Sequence, residues 1–412
     1  MQNKTTLHTH SEILPVSEPW HRGSGFTWML LALAGLVFFL SGAVAKAQQN
    51  IYSRDNVATG NWWDSANPWW YSSWQAQNRP DNDGRGNLFI GHNNNTSMTV
   101  NGAWFQLRSL TIESGATSAR TFTGASGGGI SLTDSFSNAS SGSQTFNVQI
   151  GVDASTVNFT SSNYGSTTFG SDFYLNGNTA AFGGTGNFTI SGPASGTGGV
   201  SKSGSGSLTL SGANTFSGTA SVSAGTFQTS GDNRLADNSS ISVTGGTFVI
   251  GGNDTIGAVT ATAGRLSVAS GKTATLSANS SIGASSEMVG GTVAVASGAT
   301  LTLNSDDADN TSALVVASGG TLKGSGTTTG TLSVSGILAP GNSTGILDVG
   351  NTTFLGGGNY DWEIDNFGGT QVYHRRDLAL GFKRHHRGRL RFCLHRQLQL
   401  CDRDGQRRYL KL

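Results

Sequence analysis

The sequence predicts an all-β chain wound as a right-handed parallel β-helix, with a Trp-rich N-terminal cap and a disordered basic tail. Three observations predict it. First, 60 of the 412 residues are glycine and only 12% are charged, against about a quarter charged in ordinary soluble domains. Second, short runs alternate apolar and polar residues, as half-buried strands do: Leu208-Thr-Leu210, Ile241-Ser-Val243, Val293-Ala-Val295, Leu301-Thr-Leu303 and Leu332-Ser-Val334. Third, a Gly-x-apolar step ends at Phe227, Phe248, Leu266, Val293 and Leu322. Its first intervals lie near ~20 residues, the length of one solenoid coil.

Residues 1–47 read as a signal peptide. Trp28–Leu40 is an apolar run, Lys4 and Arg22 precede it, and Ala45-Lys46-Ala47 follows as a small-x-small cleavage pattern. The competing reading is a retained anchor over Phe26–Ala45, which just reaches the ~20 residues of a membrane span. Either way the chain is expected to leave the cytoplasm.

Residues 48–125 form the expected cap region. Trp62, Trp63, Trp69, Trp70 and Trp74 crowd one short stretch. One reading is a ligand platform for sugars, since tryptophan joins an apolar face to a polar edge. The other is a cover for the open end of the solenoid, which needs bulky residues. Asp81-Asn-Asp83-Gly84-Arg-Gly86-Asn87 resembles half a calcium loop, but His92 stands where the closing glutamate would be. That segment and Asp306-Asp307-Ala-Asp309 are read as polar turns, and no metal site is expected.

Residues 126–366 are the expected solenoid. Leu208, Leu210, Phe227, Val243 and Phe248 are placed inward, and serine and threonine outward. The glycines are assigned to the tight corners. A β-sandwich array is the alternative, but the short hairpin signals it needs are infrequent.

Within this body, residues 199–227 resemble the autotransporter-associated β-strand repeat. The matching residues are Gly204, Gly206, Leu208, Thr209, Leu210, Ser211, Gly212, Asn214, Thr215, Phe216, Gly218, Val222 and Ala224 through Phe227. Residues 318–350 resemble the block that commonly follows such repeats, most sharply at Leu338-Ala-Pro-Gly-Asn-Ser343. The resemblance implies a β-helical surface or secreted protein whose repeat supports export and folding of the passenger. It implies no catalytic residue and no cofactor.

Enzyme chemistry finds little material. Between Gln48 and Thr370 the one histidine is His92, that stretch has no cysteine, and its carboxylates are scattered. A glycosidase-type pair or a nucleophilic triad needs such groups in clusters.

The tail, residues 367–412, has another composition. Residues 371–412 hold twelve Lys and Arg against seven in residues 101–350, with both cysteines and four of the eight histidines. A basic tail for nucleic acid or membrane and a Cys/His metal site are the conventional readings. Cys393 and Cys401 have no paired-cysteine motif. A frameshift near 367–375 accounts for more. Arginine codons CGN read one base later give GNN, hence Gly, Ala, Val, Asp or Glu, and histidine codons give Thr or Ile. The tail then returns to the idiom of the body.

The expected function is a non-enzymatic structural passenger, secreted or held at the surface or outer membrane of a Gram-negative-type bacterium. Expected partners are surface glycans or other cell-surface proteins, and transiently the export machinery, but no nucleic acid. The alternatives are a glycan-binding adhesin using the tryptophan cluster and a β-helix polysaccharide lyase or hydrolase.

Overall fold

A computed structural model describes residues 86–361, apart from 92, 94–95, 102–103, 126, 163–164 and 342–345, together with backbone strands at Gln49–Tyr52, Thr59–Asn61, Trp70–Tyr71, Leu398–Cys401 and Arg407–Leu410. The described residues form no helix. Their strands stack in parallel as a β-solenoid of about 12 turns.

Each coil contributes to three strand ladders. In the repeat coil, Val200–Lys202 lies on the first, Ser207–Leu210 on the second, and Asn214 with Thr215 on the third. The next coil follows in register, with Val200 opposite Ala220 and Leu208 opposite Phe227. Further on, the single strand Val259–Leu276 bends across all three ladders, pairing in turn with Ile241–Val243, Thr247–Ile250 and Asp254–Ile256. The parallel ladder excludes a sandwich of hairpins. The antiparallel strand pairs are Gln49–Tyr52 with Trp70–Tyr71, and Leu398–Cys401 with Arg407–Leu410 in a separate sheet.

The ladder also runs before residue 126. Gly86–Ile90 pairs with Trp104–Ile112, and Ser97–Asn101 with Arg120–Ala125. The stretch 48–125, read as a cap region, thus contains rungs continuous with the solenoid.

Alternation buries every second side chain, as the pleat requires. Leu208, Leu210, Phe227, Val243 and Phe248 are fully buried, and the intervening Thr209, Ser242 and Thr247 are partly exposed. The core changes character along the chain. On the first ladder the inward register runs Leu110, Phe136, Phe159, Phe182, Lys202, Val222, Val243, Ala261. The coils joining these residues shorten from 26 and 23 residues (110 to 136, 136 to 159) to 20 (182 to 202) and 18 (243 to 261). A longer perimeter encloses a wider section, and close packing then demands larger side chains. Phe122, Phe136, Phe146, Phe159, Phe169, Phe173, Phe182 and Phe188 crowd the longer coils, and aliphatic side chains with Phe216, Phe227 and Phe248 fill the shorter ones.

Candidate functional site

The repeat segment holds the residues singled out from the sequence, and the structure divides their labour. Gly204 and Gly225 have positive φ, at 71° and 68°, a conformation that costs glycine little. Gly206, Gly212 and Gly218 are not in that region. Each instead faces a backbone carbonyl of the preceding coil (Gly186, Gly192 and Gly198) at a distance that leaves no space for a Cβ. Assigning all the glycines to bent corners therefore held for two of these five. All five permit close approach between coils, since a Cβ at Gly204 or Gly225 would also meet a backbone carbonyl of the preceding coil.

Leu208, Leu210, Phe216 and Phe227 are fully buried. Asn214, 4% exposed, cross-links three coils. Its Oδ1 accepts from the Ala194 N–H at 2.9 Å, and its Nδ2 donates to Gly212 O at 2.9 Å and Arg234 O at 2.7 Å. Neither the stretch around Asn214 nor the stretch around Arg234 in the next coil forms a regular strand, so backbone groups there need a side-chain partner, and the amide supplies donor and acceptor together.

Three buried charges escaped the reading of the sequence, the first being Arg120, 1% exposed, whose Nη1 donates to Ala116 O at 3.1 Å and Ser118 O at 3.0 Å. Lys202 is 1% exposed, in register between Phe182 and Val222. Its stem packs in the apolar ladder, and its Nζ turns into the corner, donating to Ser203 O and, at 2.8 Å, to Gly204 O. Burial lowers its pKa to about 8. Its inward place was legible in principle, because Val200-Ser-Lys202 obeys the same alternation as Leu208-Thr-Leu210.

Asp254, 4% exposed, stands two coils beyond Asn214. Its Oδ2 accepts from the N–H groups of Arg234 (2.9 Å) and Leu235 (3.1 Å), and its Oδ1 is buried with no partner. Burial pushes its pKa up to about 6, with Asp237 adding to the rise and the backbone donors opposing it. The folded pKa lies above the unfolded value of about 4, so the folded chain holds a proton that the unfolded chain releases. Stability therefore falls as pH rises from about 4 to about 6. Asp254→Asn is expected to stabilise the chain by about 1–3 kcal/mol at neutral pH and to flatten that acid slope. Thermal melts at pH 4 and pH 7 measure both.

Among the described residues, no group of three or more His, Cys, Asp or Glu could hold a metal ion. Asp306, Asp307 and Asp309 form a turn in which Asp307 Oδ1 accepts from the Asp309 N–H at 2.9 Å, leading into buried Asn310. Trp62, Trp63, Trp69 and Trp74, Ala45 and Ala47, and Asp81 and Asp83 lie outside the described residues, as do Cys393 and most of the tail. Trp70 is described only by its backbone pairing with Tyr52.

No curated protein and no solved structure matches the chain significantly. Residues 200–228 match the family model of the passenger-associated-transport-repeat. The matched segment begins at the first strand of the repeat coil and ends within Thr226–Thr229 of the next. The family suggests a secreted or surface location. With this repeat set in a β-solenoid of about 12 turns, the chain fits an autotransporter passenger-like repeat protein.

Proposed function

We propose that the chain is an exported, non-enzymatic passenger whose repeat supports secretion by templating the solenoid outside the cytoplasm. The observation that carries this reading is the regularity of the matched segment. Its coils advance by 20 and 21 residues (Val200 to Ala220, Ala220 to Ile241), and Gly204, Gly206, Gly212, Gly218 and Gly225 let successive backbones touch. A coil that is uniform and closely seated presents a complete edge to the next segment of chain. In a nearest-neighbour solenoid such a coil is where folding starts and spreads.

The side chains of the repeat suit this role and little chemistry. Between Gly204 and Gly218 there is no acid, base, histidine or cysteine. The signal peptide reading of residues 1–47 supplies the route of export, and the surface or extracellular space is the destination.

Deleting residues 200–219 removes one whole rung while keeping the ladder in phase. Deleting residues 292–312 does the same outside the repeat, since Thr292 pairs with Ala313. The first deletion is expected to lower the exported yield several-fold and to slow refolding, the second to do neither. Equal effects would assign the repeat to ordinary rung packing.

A further inference from the structure

A flat aromatic seat lies on the outer surface of the third ladder, on coils that precede the repeat. It is built across four coils. Trp104 is 37% exposed. It pairs in register with Gly129, which pairs with Gln149. Two residues along, Gln106, Ser131, Gly151 and Tyr174 form a second outward row. The indole lies down over these rows. A Cβ at Gly129 would come within 2.6 Å of Trp104 Cε3, and one at Gly151 within 3.1 Å of Cζ3. The ring reaches Tyr174, with centroids 5.8 Å apart and planes tilted by 58°.

Two glycines in adjacent rows thus make room for one indole, with Ser131 buried beside it. One face of the ring is pressed to the sheet and the other meets water. Polar side chains border it. Asp172 Oδ2 accepts from Tyr174 Oη at 3.0 Å and from Gln149 Nε2 at 3.1 Å. Asp153 accepts from Asn176 Nδ2 at 2.8 Å and from Gln106 Nε2 at 3.4 Å. These bonds hold the amides, carboxylates and phenol in place around the ring. The backbones of the Trp104 and Tyr174 coils stand three rung spacings apart, about 14 Å, but the indole leans across that gap, so the aromatic platform itself is compact and the bordering polar groups extend it along the rungs.

We propose that Trp104 and Tyr174, bordered by Gln149, Asp153, Asp172 and Asn176, form a binding site for a neutral polysaccharide. A pyranose ring carries axial C–H groups on its face and hydroxyls at its edge. The exposed indole face matches the first, and the fixed amide and carboxylate oxygens match the second. The two carboxylates favour neutral glycans and repel uronate chains. The site goes beyond the passenger reading and stands whether or not the repeat aids secretion.

The test uses the purified full chain and titration calorimetry with cellohexaose, xylohexaose and chitohexaose. Hexagalacturonic acid and a proline decamer serve as competitors of other chemistry. A neutral hexasaccharide is expected to bind, and Trp104→Ala to weaken it about tenfold or more, the loss of one stacking contact. The circular-dichroism melt should stay unchanged, and Trp104→Phe should restore part of the affinity. Should Trp104→Ala lower the melt, Asn176→Ala and Gln149→Ala decide, and each must weaken binding with the fold intact. The site is overturned if none of the neutral hexasaccharides binds, or if binding survives these changes. A preference for the uronate, or Trp104-dependent binding of the proline decamer instead, overturns it equally.

Discussion

Phe169→Ala is expected to destabilise the solenoid by about 3–5 kcal/mol, the largest loss available from a single core truncation. Phe169 is 1% exposed, with ring centroids 5.7, 5.5, 5.6 and 5.4 Å from Phe136, Phe146, Phe159 and Phe173. It also lies 6.4 Å from Phe182 and 6.5 Å from Phe188. Six rings on neighbouring rungs thus meet one. Removing it leaves a cavity that the ladder backbone cannot close, because rung spacing is fixed by main-chain hydrogen bonds. The same truncation at Phe248, in the narrower section beside Phe227, leaves a gap lined by fewer rings. Urea unfolding of both variants checks the ordering. A solenoid is a chain of nearest neighbours, so the Phe169 change should also split the transition, melting the wide coils before the narrow ones. A single transition shifted by less than about 1 kcal/mol would mean the phenylalanine cluster is loosely packed.

Lys202→Glu is expected to cost about 3–5 kcal/mol, and Lys202→Met to stay within about 1.5 kcal/mol of the parent. The ammonium points at two corner carbonyls, Ser203 O and Gly204 O. A carboxylate there would face acceptors with no donor, an uncompensated buried charge. Methionine fills the space between Phe182 and Val222, and its loss of two hydrogen bonds is set against relief from a buried charge. The alkaline limb separates these terms. The folded pKa, about 8, lies below the usual lysine value of 10.5. Between those values the unfolded chain holds a proton that the folded chain has released, so stability rises with pH through that window. At neutral pH both states are charged, and the full cost of burial is present. The parent should therefore gain stability from pH 8 to pH 10, and Lys202→Met should lose this slope. Melts at the two pH values decide it. An unchanged slope in the variant would place the titration elsewhere.

Much of the fold was legible because its rules are local. Period-2 alternation at Leu208-Thr-Leu210 and Ile241-Ser-Val243 fixes which side chains point inward, whatever the neighbouring coil is. The recurrence of Gly-x-apolar steps near one coil length points to stacking. The resemblance over residues 199–227 identifies the repeat that the family match also covers, within one residue at either end. The lack of reactive groups in that stretch was likewise plain in the sequence.

What lies across the ladder was decided only by the tertiary structure. Rung partners are set by coil lengths that vary from 18 to 26 residues among those described above, and no single period predicts them. Gly206 and Gly204 look alike in the sequence and both are needed for close approach between coils, yet only Gly204 also takes a positive backbone angle. The seat of Trp104 depends on Gly129 and Gly151 falling 25 and 47 residues later (129 − 104 and 151 − 104) in adjacent rows. Lys202 and Asp254 become unusual only when neighbouring coils close water away from them. The sequence by itself determined that the chain alternates, turns and stacks, because those are properties of a residue and its immediate neighbours. The tertiary structure decided which residues meet, because stacking brings together groups that the chain separates by a full coil or more.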